Sequence, residues 1–100
     1  MTRTRKLYLV SYDIREDGRL RRVFKIMRGY GDHLQYSVFR CVLSDVQLAE
    51  LKGRLGAVIR PSEDQVLIVP LGSADAERSW RMTTLGQPVL YPARSVRVIV

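Results

Sequence analysis

One hundred residues bound a single domain, large enough for one hydrophobic core and too small for a catalytic cleft between two lobes. Seventeen Lys and Arg against ten Asp and Glu leave a formal charge of +7, which points to an anionic partner, nucleic acid ahead of a membrane surface. One cysteine, Cys41, excludes an internal disulfide framework, and no apolar run is long enough for a signal peptide or membrane span, so a cytoplasmic protein is expected.

The first element is a strand. Tyr8, Val10, Tyr12 and Ile14 alternate with Leu7, Leu9, Ser11 and Asp13, so both faces are largely apolar and the strand belongs inside a sheet. Asp13 closes it, and Arg15 to Gly18 supply turn and capping chemistry. From Arg19 onward Leu20, Val23, Phe24 and Met27 recur at helical spacing, with Arg21, Arg22, Lys25 and Arg28 on the opposite side. Gly29 and Gly31 mark the helix end.

Leu34 to Leu43 reads as one long strand or two short ones joined by a kink. Ser44 with Gln47 forms a capping-box pattern before a second amphipathic helix carrying Val46, Leu48, Leu51 and Leu55, expected to end near Gly56. A polar connection containing Pro61 leads to a strand over Gln65 to Leu71. Beyond it the pattern predicts a loop over Gly72 to Ser79, a short strand over Trp80 to Leu85, an irregular stretch over Gln87 to Pro92 and a final apolar strand over Val96 to Val100. The last strand is too apolar to hang in water and is expected to pair, within the subunit or with a partner chain.

This order predicts an α+β domain of ferredoxin-like, split βαβ type, an antiparallel sheet with two helices on one face. Residues 1–71 form its core and residues 72–100 a C-terminal extension of the same domain.

Asp13 carries the first candidate chemistry. A hard divalent cation such as magnesium takes oxygen ligands and needs only one or two carboxylates when a phosphate supplies the rest. One carboxylate per chain is too few for a firm site, but a two-fold axis would double it. The alternative is an aspartate that only shapes the turn or caps the helix. Glu16 and Asp17 fit stabilisation of the helix dipole better than metal binding.

The second candidate is the basic face. Arg15, Arg19, Arg21, Arg22, Lys25 and Arg28, with Arg3, Arg5 and Lys6, place over half of all basic residues in the first 28 positions, with no acidic residue interleaved after Asp17. Phosphate contacts need such a cluster and no base-reading logic, so salt-dependent, sequence-indifferent binding of DNA or RNA is expected. Arg28 to Gly31, "RGYG", opens like an RNA-recognition signature but continues with Asp32 and His33, where that motif needs an aromatic and an apolar residue. His33 is the sole histidine, which excludes a multi-histidine metal site within one chain.

"LVSYDI" ending the first strand, the basic helix, "GYG" and "QYSVFRC" over Gln35 to Cys41 together resemble the second of the two universal CRISPR adaptation proteins, the small Cas nuclease family. The resemblance is strongest over residues 7 to 43. It implies a homodimer in which two copies of Asp13 face each other around magnesium or manganese, and endonuclease activity on RNA or DNA in antiviral defence. It also implies a scaffold role beside the CRISPR integrase, and a last strand that pairs with the partner subunit. Tyr12, Ser37 and Phe39 map onto positions near the family's active site. Leu20 and His33 stand where many members carry basic residues. Two other readings suit the same fold: a toxin-type endoribonuclease similar to the virulence-associated VapD proteins, and a non-catalytic nucleic-acid-binding module with sheet aromatics exposed for stacking.

Overall fold

The expected alternation becomes β1 (Arg5–Asp13), with Tyr8, Val10 and Tyr12 buried and Asp13 exposed at its end. The structure is a computed structural model that describes residues 4–74, 82–89 and 96–99. Trp80, Arg81, residues 75–79 of the expected loop, residues 90–92, Val100 and Arg3 lie outside the described residues.

Glu16 caps helix α1 (Asp17–Arg28), its carboxylate accepting the backbone N–H groups of Gly18 at 2.7 Å and Arg19 at 2.8 Å. Two donors that the helix start leaves unpaired are thereby satisfied, and they hold the Glu16 carboxyl below its usual range. The apolar stripe docks as predicted: Val23 and Met27 are fully buried, with Leu20, Phe24 and Ile26 packed beside them. Arg21, Arg22, Lys25 and Arg28 are left exposed.

The 34–43 segment is two strands, β2 (Gly31–Gln35) and β3 (Val38–Ser44), joined by a tight turn at Tyr36 and Ser37. Gly31 belongs to β2 rather than to the helix stop; Gly29 alone is the C-cap. The capping box is present, with Ser44 Oγ accepting from Gln47 N–H at 3.2 Å and Gln47 Oε1 from Ser44 N–H at 2.9 Å. It opens α2 (Asp45–Val58), which runs two residues past Gly56. A glycine does not stop a helix whose next turn still packs, and Val58 and Ile59 rest on the core. The stop falls before Pro61, which disfavours helical backbone at Arg60.

β4 (Gln65–Ser73) completes a four-stranded antiparallel sheet of order β2-β3-β1-β4. Both helices cover one face, over Tyr8, Val10, Tyr12, Phe39, Cys41 and Leu43. The βαββαβ order with β1 and β3 central is the ferredoxin-like arrangement. The opposite face carries Leu7, Leu9, Ser11 and Asp13 from β1, and exposed Leu67 and Val69 from β4. β5 (Met82–Leu85) and β6 (Val96–Ile99) pair in parallel in a separate two-stranded sheet, so the last strand finds a partner within its own chain.

A candidate nucleic-acid and metal site at the end of β1

Asp13 pairs with Gln65 of β4 through the backbone, which fixes its Cα at one end of the sheet. Among the described residues its carboxylate takes part in no hydrogen bond or ion pair and caps no helix, since Glu16 holds that position. The turn-shaping alternative therefore finds no contact to support it. An exposed carboxylate offers oxygen donors suited to a hard cation. No group of three potential metal ligands lies together among the described residues.

The residues around Asp13 sort by depth. The backbone N–H of Tyr12 donates to the Ser37 carbonyl at 3.1 Å, which ties the β2–β3 turn to the end of β1 one residue before Asp13. Burial pushes the Tyr12 hydroxyl up to about 12, so it stays protonated at neutral pH and cannot serve as a base. Phe39 is fully buried, stacked with Tyr12 at 6.2 Å between centroids and with His33 at 4.8 Å, and meeting Phe24 edge-on. It reaches the site only by supporting these rings, because alternation along β3 turns it inward with Cys41 and Leu43.

Arg15, Arg21, Arg22, Lys25 and Arg28 are exposed on the loop and helix that follow Asp13. The Arg28 guanidinium lies 5.8 Å from the centre of the Phe24 ring, which braces it on the same surface. Arg19 departs from the expected cationic face. It is 8% exposed, and its Nε donates to Asp64 Oδ2 at 2.8 Å while Nη2 reaches Glu63 at 2.9 Å and Asp64 Oδ1 at 3.2 Å. Asp64 also accepts the backbone N–H groups of Arg15 at 2.9 Å and Arg60 at 2.8 Å, so this carboxylate joins the α1 entrance to the α2–β4 connection. The bonds from Arg19 and the two backbone groups hold the Asp64 carboxyl well below its ordinary value. Arg19 is a structural anchor and not a phosphate contact.

Asp64 has no local signal in the sequence, because its role depends on a partner 45 positions away. Of the four aromatics a stacking surface could use, Tyr8, Tyr12, Tyr36 and Phe39, only Tyr36 is exposed, standing 89% exposed on the turn. Between this turn and α1 lies an open groove of about 620 Å3, with Tyr12, Leu20 and Phe24 along its wall and Arg21, Lys25 and Arg28 along its helix side. Tyr8, Tyr12 and Phe39, which a stacking sheet would have to expose, face the helices instead.

The fold and these residues define a small ferredoxin-like protein with an exposed carboxylate at the end of β1 and exposed cations on the helix that follows it in sequence. The chain belongs to the family of CRISPR associated protein Cas2, whose profile matches residues 6–79. It is 52% identical over 64 residues to a CRISPR-associated endoribonuclease Cas2 of Thermodesulfovibrio yellowstonii, covering 64% of this chain and 70% of that protein. A CRISPR-associated endoribonuclease Cas2 of Geobacter sulfurreducens is 45% identical over 90 residues, covering 87% of this chain and 94% of the relative. The crystal structure of Streptococcus pyogenes Cas2 superposes with a TM-score of 0.65 at 30% identity, over 76% of this chain and 96% of that one.

Proposed function

We propose that this protein is a homodimeric, metal-dependent endonuclease that hydrolyses phosphodiester bonds in DNA or RNA, and that the same dimer is a scaffold beside the CRISPR integrase when new spacers are acquired. The observation that carries this reading is Asp13: an uncommitted, exposed carboxylate at a strand end, directly before the exposed cations of α1. The names of the relatives as endoribonucleases support the nuclease part.

The exposed apolar surface supports the dimer reading. Leu67 and Val69 are half-exposed on the face that also carries Asp13, because Ser11 pairs with Leu67 and Leu9 with Val69. Covering this face with a second copy removes apolar area from water and brings the two Asp13 carboxylates toward a common axis. Residues 72–100 are the proposed dimerisation segment.

Both copies of Asp13 would hold magnesium or manganese, which supplies Lewis acidity toward the scissile phosphate. Arg21, Arg22, Lys25 and Arg28 hold neighbouring phosphates, with Arg15 closest to Asp13 in sequence. Tyr12, whose ring packs under the helices on the other face of β1, supports the strand that carries the carboxylate.

The test is cleavage of single-stranded RNA and double-stranded DNA by wild type and Asp13→Ala, each with magnesium and with chelator, alongside sedimentation and binding. The reading expects cutting only by wild type with magnesium, and an Asp13→Ala protein that still dimerises and binds. Cutting by Asp13→Ala at the wild-type rate, or cutting in chelator, would remove the metal site at Asp13.

A further inference from the structure

We infer that the groove between α1 and the β2–β3 turn is a pocket for an unpaired nucleobase, with Tyr36 as the stacking ring and Arg21 and Lys25 as contacts to the adjoining phosphates. The inference rests on the reading that α1 faces nucleic acid, and it specifies which part of the polymer enters the protein.

Tyr36 is the first reason. Its φ of +25° lies on the left-handed side, where a bulky residue is strained and glycine or asparagine would be at ease. Its ring is 89% exposed and contributes nothing to the core, so the fold itself gives no reason for tyrosine here. The turn is nevertheless held firmly. His33 Nε2 donates to the Tyr36 carbonyl at 2.6 Å, and the His33 ring is packed between Phe24 and Phe39. A water-exposed aromatic ring on a fixed strained turn is suited to receive a flat partner.

The groove supplies the rest. Its wall is apolar, from Leu20, Phe24 and the buried Tyr12 ring, and its volume of about 620 Å3 lies within the roughly 300–1,000 Å3 typical of small-ligand pockets. Arg21 and Lys25 stand exposed at its helix edge. The matching occupant has a flat apolar body with negative charge beside it, which describes a nucleotide. A paired base hides its edge and both faces in the duplex, so the occupant is single-stranded, terminal or extruded. A second copy of this +7 chain would bring like charge to a cationic rim. An acidic peptide would leave the Tyr36 ring without a stacking partner.

The experiment is a set of anisotropy titrations with single-stranded RNA, single-stranded DNA and an abasic strand of equal length, using wild type, Tyr36→Gly and Tyr36→Phe. Glycine suits the left-handed backbone, so the fold survives removal of the ring, and a thermal melt with sedimentation velocity verifies that. Tyr36→Gly is expected to weaken both base-bearing strands by about tenfold, Tyr36→Phe to bind like wild type, and the abasic strand to bind all three proteins alike. An equal loss on the abasic strand, or unchanged binding of the base-bearing strands, would overturn the pocket. So would loss of the wild-type oligomeric state in Tyr36→Gly, which would make the groove an interface between copies. A wild-type protein that binds none of the three strands at low salt would instead overturn the reading of α1 as the nucleic-acid face.

Discussion

Replacing Gly31 with alanine tests the packing that carries the β2–β3 turn to its place beside Asp13. A Cβ built on Gly31 would sit 2.5 Å from the Cys41 Sγ and closer still to the Arg40 carbonyl oxygen, where real Cβ atoms keep at least 3.0 Å. The backbone does not require glycine here, since Gly31 lies outside the positive-φ region that favours it. Without crowding, alanine would therefore stabilise the strand by about 0.5–1 kcal/mol. With crowding, β2 must move away from a backbone oxygen that cannot rotate aside and from a fully buried thiol. Overpacking of this kind costs roughly 1–3 kcal/mol. The net change is a destabilisation, and in a domain of this size each kcal/mol lowers Tm by roughly 4–8 °C. Because the oxygen of Arg40 is the tighter contact, adding Cys41→Ala to Gly31→Ala should not restore stability. Gly56→Ala in α2 is the control, because its Cβ would meet nothing, and it should gain about 0.5–1 kcal/mol. Thermal melts followed by circular dichroism read all four proteins. A Gly31→Ala protein as stable as wild type, or rescued by Cys41→Ala, would refute this account of the β2–β3 approach.

Asp64→Asn should destabilise the protein at neutral pH, because it removes the buried charge opposite Arg19 and leaves only the half-exposed Glu63 to pair with it. The folded carboxyl lies below its ordinary value of 3.8, so its stabilisation is complete above that value and fades as pH falls toward the depressed folded one. Wild type and Asp64→Asn should accordingly converge in denaturant melts taken from pH 7 down to pH 2. Replacing Arg21, Arg22 and Lys25 together should lower the slope of log affinity against log salt by about 2–3 and weaken every base sequence alike, which titrations at several salt concentrations would reveal. Burial pushes the Cys41 thiol up to about 12, so a thiol reagent at pH 8 should label it slowly in the folded protein and rapidly in denaturant.

Local signals carried much of the architecture. Alternation in β1, the stripe of Val23 and Met27 and the Ser44–Gln47 capping box each depend on residues within a few positions, and all three appear where the pattern puts them. Arg19 was misplaced although its spacing held the clue: it lies four residues before Val23 and eight before Met27, on the buried stripe. Charge argued for solvent, and the compensating Asp64 is too remote in sequence to be seen. Phe39 seemed a neighbour of the site by resemblance, whereas its alternation with Cys41 and Leu43 places it in the core. The α2 end falls at Val58, two residues past Gly56 and within the expected region, with Gly56 itself inside the helix. The exposed strand-end Asp13 was legible; a second copy of it is beyond what one chain's pattern expresses.

The proposed metal site needs two copies of Asp13 acting together. Mixed dimers test it: wild type and Asp13→Ala are unfolded together, refolded at a series of ratios, and assayed for magnesium-dependent cleavage at constant total protein. A shared site predicts activity that falls as the square of the wild-type fraction, since only dimers with both carboxylates cut. Activity that falls in direct proportion to the wild-type fraction would contradict the claim, because each chain would then be cutting with its own Asp13.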